Sequence, residues 1–346
     1  MMHFTALNYL LFITKPYSLA ILKPFQKAVE RRGAGDVCWF MASTTKDYLP
    51  PGKQLRSTEE VLEFNPDAVI VPVNVVPDFW PGLKVQIFHG LDEETKGFYR
   101  ITGFFDLYCT PGPVTTQRFT SLAKRYKTFL VSQTGWPKLD PLAIKVDYWA
   151  LKKKLGLNPG KPVILYAPTF PPKYTSATAL LPAIRTLNNG SYQWLIKFHS
   201  LMDRDIQNSY RELIGDNFQV VDSQNILSYM RVADLLVTDT SSVAYEFLLL
   251  DRPIITYNAI ARIDKGINIT SPAELGSAIE RSLADPVEYS SIRQYYLSEM
   301  HPYQDGESSI RIIDCIEKVL KTGEYKNLKH KPGNWVRKWQ IRKIIQ

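Results

Sequence analysis

The segment 233–258, ADLLVTDTSSVAYEFLLLDRPIITYN, has the pattern of a strand, a tight turn, a helix and a second strand. DLLVTD predicts a short buried strand that ends at Asp239, and PIITY predicts the next one, with Pro253 where a missing N–H is tolerated. Ser241 and Ser242 lie where helix-capping residues are preferred, just before the apolar run VAYEFLLL. The free N–H groups of a helix N-terminus suit a phosphate. The segment is therefore either an ordinary capped helix of an α/β domain or a phosphate-binding turn.

Apolar runs of strand length recur on both sides of this segment, separated by stretches with helical periodicity. Such alternation predicts parallel sheets with helices on both faces, arranged as two doubly wound, Rossmann-like domains that face a cleft. The predicted strands are LNYLLFIT (7–14), VCWFMAS (37–43), DAVIVPVN (67–74), KVQIFHG (84–90), FDLYCT (105–110) and KTFLVS (127–132) in the first half, and VILYAPTF (163–170), YQWLIKFH (192–199), FQVVDS (218–223), DLLVTD (234–239) and PIITYN (253–258) in the second.

Polar residues follow several of these strands directly. His89 follows VQIF, Thr169 follows ILYAP, His199 follows LIKF, and Asp239 follows LLVT. Because doubly wound domains bind ligands at the carboxyl ends of their strands, we expect these residues to mark a binding site.

The domain boundaries follow from composition. GWPKLDPL (135–142) interrupts the alternation with glycine, proline and aspartate, and a charged stretch follows it. We therefore divide the chain into an N-terminal domain (1–140), a linker (141–160), a C-terminal domain (161–322) and a basic C-terminal segment (323–346).

Composition limits the class of function. The 346 residues have a formal net charge of +8 and a pI of about 9.1, which predicts an anionic partner. Nucleic acid is a poor fit, because no basic-aromatic groove motif is present. Cys38, Cys109 and Cys315 form no CxxC pair and indicate free thiols in a reducing compartment. The early run LNYLLFI is too short to span a bilayer and lacks the features of a signal peptide.

Six short motifs occur in a recognisable order. They are QIFHG (86–90), GWPKLD (135–140), VILYAPTF (163–170), KFH (197–199), the segment ADLLVTDTSSVAYEFLLLDRP (233–253) and DGESSIR (305–311). In this order they resemble the motifs of the CDP-glycerol glycerophosphotransferases, the polymerases and primases of teichoic acid and related capsule synthesis. The resemblance runs from about residue 85 to 320, and it implies a GT-B-like arrangement of two Rossmann-like domains.

Four departures from the family's motifs lie beside the implied acceptor and donor head group. Pro171 stands where the family has arginine, Ser200 replaces a proline, and Thr240 replaces a tyrosine. The segment HGLDEETKG (89–97) lacks the usual Thr-Pro after His-Gly.

The resemblance implies that His89 is the catalytic base and that His199 is catalytic, assisting at the donor phosphates. A histidine can take a proton from a hydroxyl near neutral pH, and Gly90 allows close approach. The alternative for His89 is a loop histidine hydrogen-bonded to the backbone. The alternative for His199 is a partly buried histidine at the end of a strand. We interpret His3, His301 and His330 as surface residues.

The remaining candidate residues concern the donor. Ser241 and Ser242 are predicted to donate hydrogen bonds to its phosphates, and Asp239 to orient their turn. Glu246 either binds ribose hydroxyls or is an exposed acid on a helix face. Thr169 either contacts the nucleotide or its phosphates, or simply ends a strand. A further candidate lies in DGESSIR: Arg311 either completes the phosphate site or pairs with Asp314.

No metal site and no cofactor are predicted, because Asp92, Glu93 and Glu94 are adjacent and cannot readily converge on one ion. The resemblance implies transfer of an alditol phosphate, with glycerol phosphate favoured, from a CDP-linked donor bound by the C-terminal domain. The acceptor, bound by the N-terminal domain, is a hydroxyl of a lipid-linked or polymeric glycan. The alternatives are a GT-B glycosyltransferase using a UDP- or GDP-linked sugar and a non-catalytic nucleotide-sugar or glycan-binding protein. The sequence leaves the oligomeric state undetermined.

The C-terminal segment KNLKHKPGNWVRKWQIRKIIQ is strongly basic, and Trp335 and Trp339 share one face of a helix. It suits an anionic membrane surface or packing on the N-terminal domain. We therefore expect a cytoplasmic protein peripheral to the inner face of the cell membrane.

Overall fold

A computed structural model describes residues 6–42, 45, 50–91, 98–223 and 225–345. The chain forms two compact units. The first consists of Met1–Ala143 and Ser298–Gln346, and the second is Ile144–Leu297.

In its described part, the first unit contains a parallel sheet of seven strands in the order β3-β2-β1-β4-β5-β6-β7. Its central strands are buried on both faces, as a parallel sheet covered by helices requires. The elements are β1 (Leu7–Ile13), α1 (Ser18–Arg32), β2 (Gly35–Met41), β3 (Lys53–Leu55), α2 (Thr58–Phe64), β4 (Ala68–Val71), β5 (Leu83–Gln86), β6 (Leu107–Thr110), α3 (Pro113–Tyr126), β7 (Leu130–Gln133) and α4 (Asp140–Ala143).

The second unit contains a parallel sheet with the order β10-β9-β8-β11-β12-β13 in its described residues. Helices on both faces bury a core around Trp194, Tyr210 and Ile255. The elements are α5 (Tyr148–Lys154), β8 (Val163–Tyr166), α6 (Ala177–Leu187), β9 (Gln193–Ile196), α7 (Arg204–Arg211), β10 (Phe218–Val220), α8 (Leu227–Val232), β11 (Leu235–Thr238), α9 (Val243–Phe247), β12 (Ile254–Tyr257), β13 (Ile267–Ile269) and α10 (Leu275–Ala284).

Three helices complete the chain: α11 (Ser290–Met300), within which the unit boundary falls, α12 (Ser308–Thr322) and α13 (Trp335–Ile345). The predicted α/β class is confirmed, with two doubly wound parallel sheets. Each predicted strand is present. Only β3 and β13 were not predicted, since their three residues, KQL and INI, form no apolar run of strand length.

The unit boundaries differ from the predicted domains. The second unit ends at Leu297, not at 322, and α12 belongs to the first unit. The reason is a buried carboxylate: Asp140 accepts the N–H groups of Ser308 and Ser309 at 2.9 and 2.8 Å, and the Ser309 hydroxyl at 2.6 Å. The N-terminus of α12 is therefore attached to the GWPKLD motif, and both belong to the first unit.

The C-terminal segment packs on the first unit. Asn334 Nδ2 donates to the Thr102 carbonyl, and the Arg337 guanidinium donates to the Asn74 carbonyl, both at 2.7 Å. Ile341 is buried in the core of this unit. Across the residues described, no helix is both long and apolar enough to cross a bilayer.

Candidate functional site

The second sheet has a topological switch point between β8 and β11. From β8 the chain continues outward through β9 and β10, whereas from β11 it continues in the other direction through β12 and β13. The loops that follow β8 and β11 therefore diverge at the carboxyl edge, which is where open α/β sheets bind ligands. Thr169 lies in the first loop, and Ser241 and Ser242 lie in the second.

Asp239 joins these two loops. Both of its carboxylate oxygens accept the Thr169 N–H, at 3.0 and 3.1 Å. One oxygen also accepts the N–H and the hydroxyl of Ser176, at 2.8 and 2.9 Å. Burial raises the pKa of Asp239, while these bonds and one from the Ser241 N–H oppose the rise. Asp239 therefore bonds both to its own turn and to the loop after β8. Neither Ser176 nor this link was predicted.

The helix that follows the serine turn is shorter than predicted. The run VAYEFLLL forms α9 over five residues and then a 3₁₀ turn, Leu248–Leu250. Ser241 Oγ accepts the Val243 N–H at 3.5 Å, the outer limit of a hydrogen bond, and among described residues Ser242 makes no side-chain capping bond. Because α9 is short, its dipole is weak, and a phosphate bound at this turn would depend mainly on hydroxyl and amide donors.

Glu246, on α9, is only 4% exposed. The interpretation of this residue as an exposed helix-face acid is therefore wrong. A buried carboxylate is costly unless it has polar contacts, which a ribose hydroxyl can supply.

His199 follows β9, the neighbour of β8, at the same edge. One face of its exposed ring stacks on Phe170, with centroids 4.4 Å apart. Its Nδ1 accepts the Leu201 N–H at 3.1 Å, so the neutral ring carries its proton on Nε2. Partial burial, and then the charge of Lys197, lower the pKa of His199. The ring is therefore a neutral donor through Nε2 near pH 7, and Phe170 was not predicted as its support.

His89 lies in the first unit, three residues beyond the end of β5. Its side chain is exposed, with its ring centroid 6.2 Å from that of Tyr17. The preceding residue, Phe88, is buried and has a φ of +61°, a conformation uncommon outside glycine. The chain therefore turns sharply between a residue held in the core and a histidine directed to solvent.

The interpretation of His301 as a surface residue is wrong, because it is 2% exposed. Its Nε2 accepts the Trp136 N–H at 3.0 Å, and burial lowers the pKa of His301 to about 4. No local pattern marks this histidine, since its partner lies 165 residues earlier in the chain. His330 is exposed, as predicted, and His3 lies outside the described residues.

Arg311 lies on α12 of the first unit and pairs with Asp305 rather than with Asp314, which pairs with Arg32. Its guanidinium carbon lies 3.9 Å from the centroid of the Tyr303 ring. Hydrogen bonding to Arg311 lowers the pKa of Asp305. The predicted alternative partner is therefore wrong, and the guanidinium already has an acid and a ring as neighbours.

In the described parts of the chain, no three or more His, Cys, Asp or Glu side chains lie close enough to hold one ion. Asp92, Glu93 and Glu94 lie outside the described residues.

Comparison with known proteins adds to this geometry. The chain aligns with the teichoic acid poly(glycerol phosphate) polymerase of Bacillus spizizenii at 29% identity over 178 residues, which are 48% of this chain and 44% of that protein. It is 26% identical to the teichoic acid glycerol-phosphate primase of Bacillus subtilis over 245 residues, 66% of this chain and 61% of that protein. The chain therefore spans less than two thirds of the length of either relative.

A solved structure of a variant of the wall teichoic acid polymerase TagF superposes with a TM-score of 0.68, at 18% identity, over 92% of this chain and 90% of that chain. At this identity the similarity shows a shared fold. The family CDP-glycerol:poly(glycerophosphate) glycerophosphotransferase matches residues 82–262, a range that includes His89, His199 and the serine turn. The chain therefore belongs to this glycerophosphotransferase family.

Proposed function

We propose that this protein transfers glycerol phosphate from CDP-glycerol to a hydroxyl of a lipid-linked or polymeric glycan acceptor in cell-surface polymer synthesis. The observation that carries the proposal is the switch point of the second sheet. There Asp239 holds Thr169 and the serine turn together, inside the range matched by the family. A TagF structure was obtained after a soak with CDPG, which supports a CDP-linked donor for a protein of this fold.

In the proposed reaction, His89 takes the proton of the acceptor hydroxyl as its oxygen attacks the distal phosphorus of the donor. The bond from that phosphorus to the bridging oxygen breaks, and CMP leaves with the bonding electrons. His199 suits the leaving phosphate, because a neutral ring with its proton on Nε2 donates a hydrogen bond where charge develops. The two histidines therefore have different tasks, one as acceptor of a proton and one as donor of a hydrogen bond.

Donor recognition is assigned to the second unit. Ser241 and Ser242 are half-buried and offer hydroxyl groups to the two phosphates, and Thr169 lies on the loop held by the same carboxylate. Glu246 is proposed to accept a hydrogen bond from the ribose. Outside the second unit, Arg311 is proposed separately as a phosphate-binding residue, and in the structure it pairs with Asp305.

The experiment is a measurement of CMP release from CDP-glycerol in the presence of a glycerophosphate-bearing acceptor. His89→Ala should lower turnover by about 10²–10⁴-fold, the usual contribution of a general base. His330→Ala is the matched control, because this histidine is exposed in the same unit, and it should keep full turnover. Release of UDP or GDP from a nucleotide sugar, with no CMP release, would replace the proposal by a glycosyltransferase. Absence of turnover with every donor tested would leave a binding protein.

We also propose that α13 contacts an anionic membrane surface. Trp335 and Trp339 are 80% and 58% exposed, and the Lys343 ammonium lies 3.5 Å from the Trp339 ring centroid. Ile341, on the same helix, is buried in the first unit and fixes the helix there. Exposed tryptophan beside basic residues suits the interface of an anionic bilayer.

The membrane proposal is tested by sedimentation with anionic vesicles at increasing salt. The double variant Trp335→Ala, Trp339→Ala should sediment less than the parent, and added salt should weaken binding of both. Trp149→Ala is the matched control, since Trp149 is also 58% exposed but lies on the second unit. An equal loss of vesicle binding in the control, or full vesicle binding by the double variant, would contradict the proposed membrane contact of α13.

A further inference from the structure

Trp136 of the GWPKLD motif is a fully buried residue that contacts the backbone next to His89. Its indole Nε1 donates a hydrogen bond to the Phe88 carbonyl at 3.1 Å, across 48 residues of sequence. That carbonyl belongs to the peptide group that joins Phe88 to His89. A hydrogen bond to this oxygen therefore fixes the orientation of the planar peptide group that precedes His89.

Phe88 is held from its other side by aromatic packing. Its ring stacks on Phe98 at 5.2 Å and meets Phe119 edge-on at 5.0 Å. Because its φ of +61° is a strained backbone conformation for phenylalanine, surrounding contacts must maintain it. The indole donor and the ring contacts together hold the turn that leads to His89.

Trp136 is itself anchored. Its backbone N–H donates to Nε2 of the buried His301 at 3.0 Å. The preceding Gly135 has a φ of +86°, and a Cβ at that position would lie 2.4 Å from Ser308 Oγ. Only glycine fits this approach, and it brings Trp136 under the β5 loop.

We propose that Trp136 is a positioning residue for His89: its indole N–H holds the Phe88 carbonyl and so directs the imidazole toward the acceptor hydroxyl. This inference rests on the proposed role of His89 as base. Phenylalanine at position 136 keeps most of the ring volume but loses the donor, so the Phe88 carbonyl would be left without it. The His89 ring would then occupy the productive orientation for a smaller fraction of the time.

The first test compares Trp136→Phe with Trp80→Phe. Trp80 is the control, since it is buried in the core of the first unit that contains Phe88, and its indole nitrogen has no hydrogen-bond partner among the described residues. Trp136→Phe should lower kcat by about 10- to 100-fold, the scale of a misplaced catalytic group, with the KM for CDP-glycerol within about threefold of the parent. Trp80→Phe should keep kcat within about threefold, although both variants lose core packing. Equal kcat in the two variants overturns the inference.

The second test is a double-mutant cycle. In the His89→Ala background, Trp136→Phe should cause no further loss of kcat, because the indole acts through the imidazole. An additional 10-fold loss would mean an independent structural role and would overturn the inference. Full turnover of His89→Ala alone overturns the base assignment together with the inference. Full turnover of Trp136→Phe, when His89→Ala is inactive, overturns the inference alone.

A substrate-free measurement separates the inference from the choice of donor. The His89 imidazole signal in the nuclear magnetic resonance spectrum of the full chain is assigned by its loss in His89→Ala. Trp136→Phe should move this signal and its titration midpoint, and Trp80→Phe should not. An unmoved signal in Trp136→Phe overturns the positioning role even if the protein uses a donor other than CDP-glycerol.

Discussion

Asp234 and Asp239 flank the same strand, β11, and both carboxylates accept hydrogen bonds from backbone amides, but their surroundings differ. At the amino end, Asp234 accepts the Val163 N–H at 2.8 Å and the Tyr148 hydroxyl at 2.7 Å, and it pairs with the buried Lys152 ammonium at 3.3 Å. At the carboxyl end, Asp239 accepts only amides and hydroxyls, and within the described residues it has no ion-pair partner.

The difference indicates a structural role for the Asp234 carboxylate and a proposed role for the Asp239 carboxylate in organising a binding site. A cation beside Asp234 balances its charge and closes that edge of the sheet. Asp239 is balanced by dipoles that belong to the loops it orders, those of Thr169, Ser176 and Ser241. The same residue type therefore serves stability at one end of a strand and organisation of the proposed donor site at the other.

The largest expected effect is that of Asp239→Asn. The side-chain amide has one acceptor oxygen, and its NH₂ group would face the amides of Thr169 or Ser176. Each lost hydrogen bond to a charged group is worth about 1.5–3 kcal/mol. We expect CDP-glycerol to bind at least about 10-fold more weakly by calorimetry, with a lower melting temperature. Tight donor binding in this variant would show that the two loops need no carboxylate.

The next effect concerns the serine turn that Asp239 supports. Replacing Ser241 and Ser242 together by alanine should weaken CDP-glycerol binding by about 1–3 kcal/mol, while the backbone amides still bind. The melting temperature should change little, since Ser242 makes no side-chain capping bond among described residues. The same double substitution at Ser277 and Ser290, elsewhere in the second unit, is the control for binding. Unchanged affinity in the serine-turn variant would place the phosphates elsewhere.

Lys152→Met tests the opposite end of β11. Methionine keeps the buried stem and removes the charge, so Asp234 loses its cation while keeping its other donors. Asp234 is about one third exposed, and we therefore expect a modest loss of about 1–2 kcal/mol in the free energy of unfolding, measured with urea. CDP-glycerol affinity should be unchanged. Weakened donor binding would mean that the two ends of the strand are not functionally separate.

The smallest expected effect is a pH dependence of the free energy of unfolding. The folded-state pKa of Asp239 is raised, so above the unfolded value of 3.8 the native protein binds this proton more tightly than the unfolded chain does. The contribution of Asp239 to stability is therefore largest at low pH and is lost as pH rises through the folded pKa. Asp305, whose pKa is lowered, should show the opposite sign, with stability gained as pH rises through 3.8.

These two opposite pH dependences are tested by unfolding the parent and each asparagine variant, Asp239→Asn and Asp305→Asn, over pH 3 to 7. The quantity compared is the difference in unfolding free energy between the parent and the variant. The difference for Asp239 should shrink as pH rises, and that for Asp305 should grow. Parallel curves for the two residues would contradict the environments assigned to them.

Much of the second sheet was predictable, because β8, β9 and β11 are apolar runs that end where polar residues begin. The same rule selected Thr169, His199 and Ser241 as candidates, and each lies three residues beyond the end of its strand. The rule does not identify Ser176, because this residue lies well beyond the end of β8 in an irregular loop. Its hydrogen-bond partner, the Asp239 carboxylate, is 63 residues later in the chain. Local patterns describe single strands, whereas the hydrogen bonds that join two loops depend on the folded sheet.

The first unit was less predictable for the same reason. Asp140 was assigned to a linker boundary because glycine and proline surround it, and its partners on α12 lie 168 and 169 residues later. His301 was assigned to the surface because no motif surrounds it. Pairing across such distances leaves no periodic signal in the sequence. The role of His89 itself came from family resemblance, and it stays a prediction.

The discontinuous first unit has a consequence for synthesis on the ribosome. Trp136 emerges 165 residues before His301, an interval of roughly 10–30 s at the usual translation rates. During that interval the seven strands of its sheet are already synthesised, but α12 and α13, which cover part of its core, are not. The second unit is continuous in sequence and has all its strands before α12 exists. Nascent chains should therefore complete the second unit first and complete the first unit only after α12 and α13 have been synthesised.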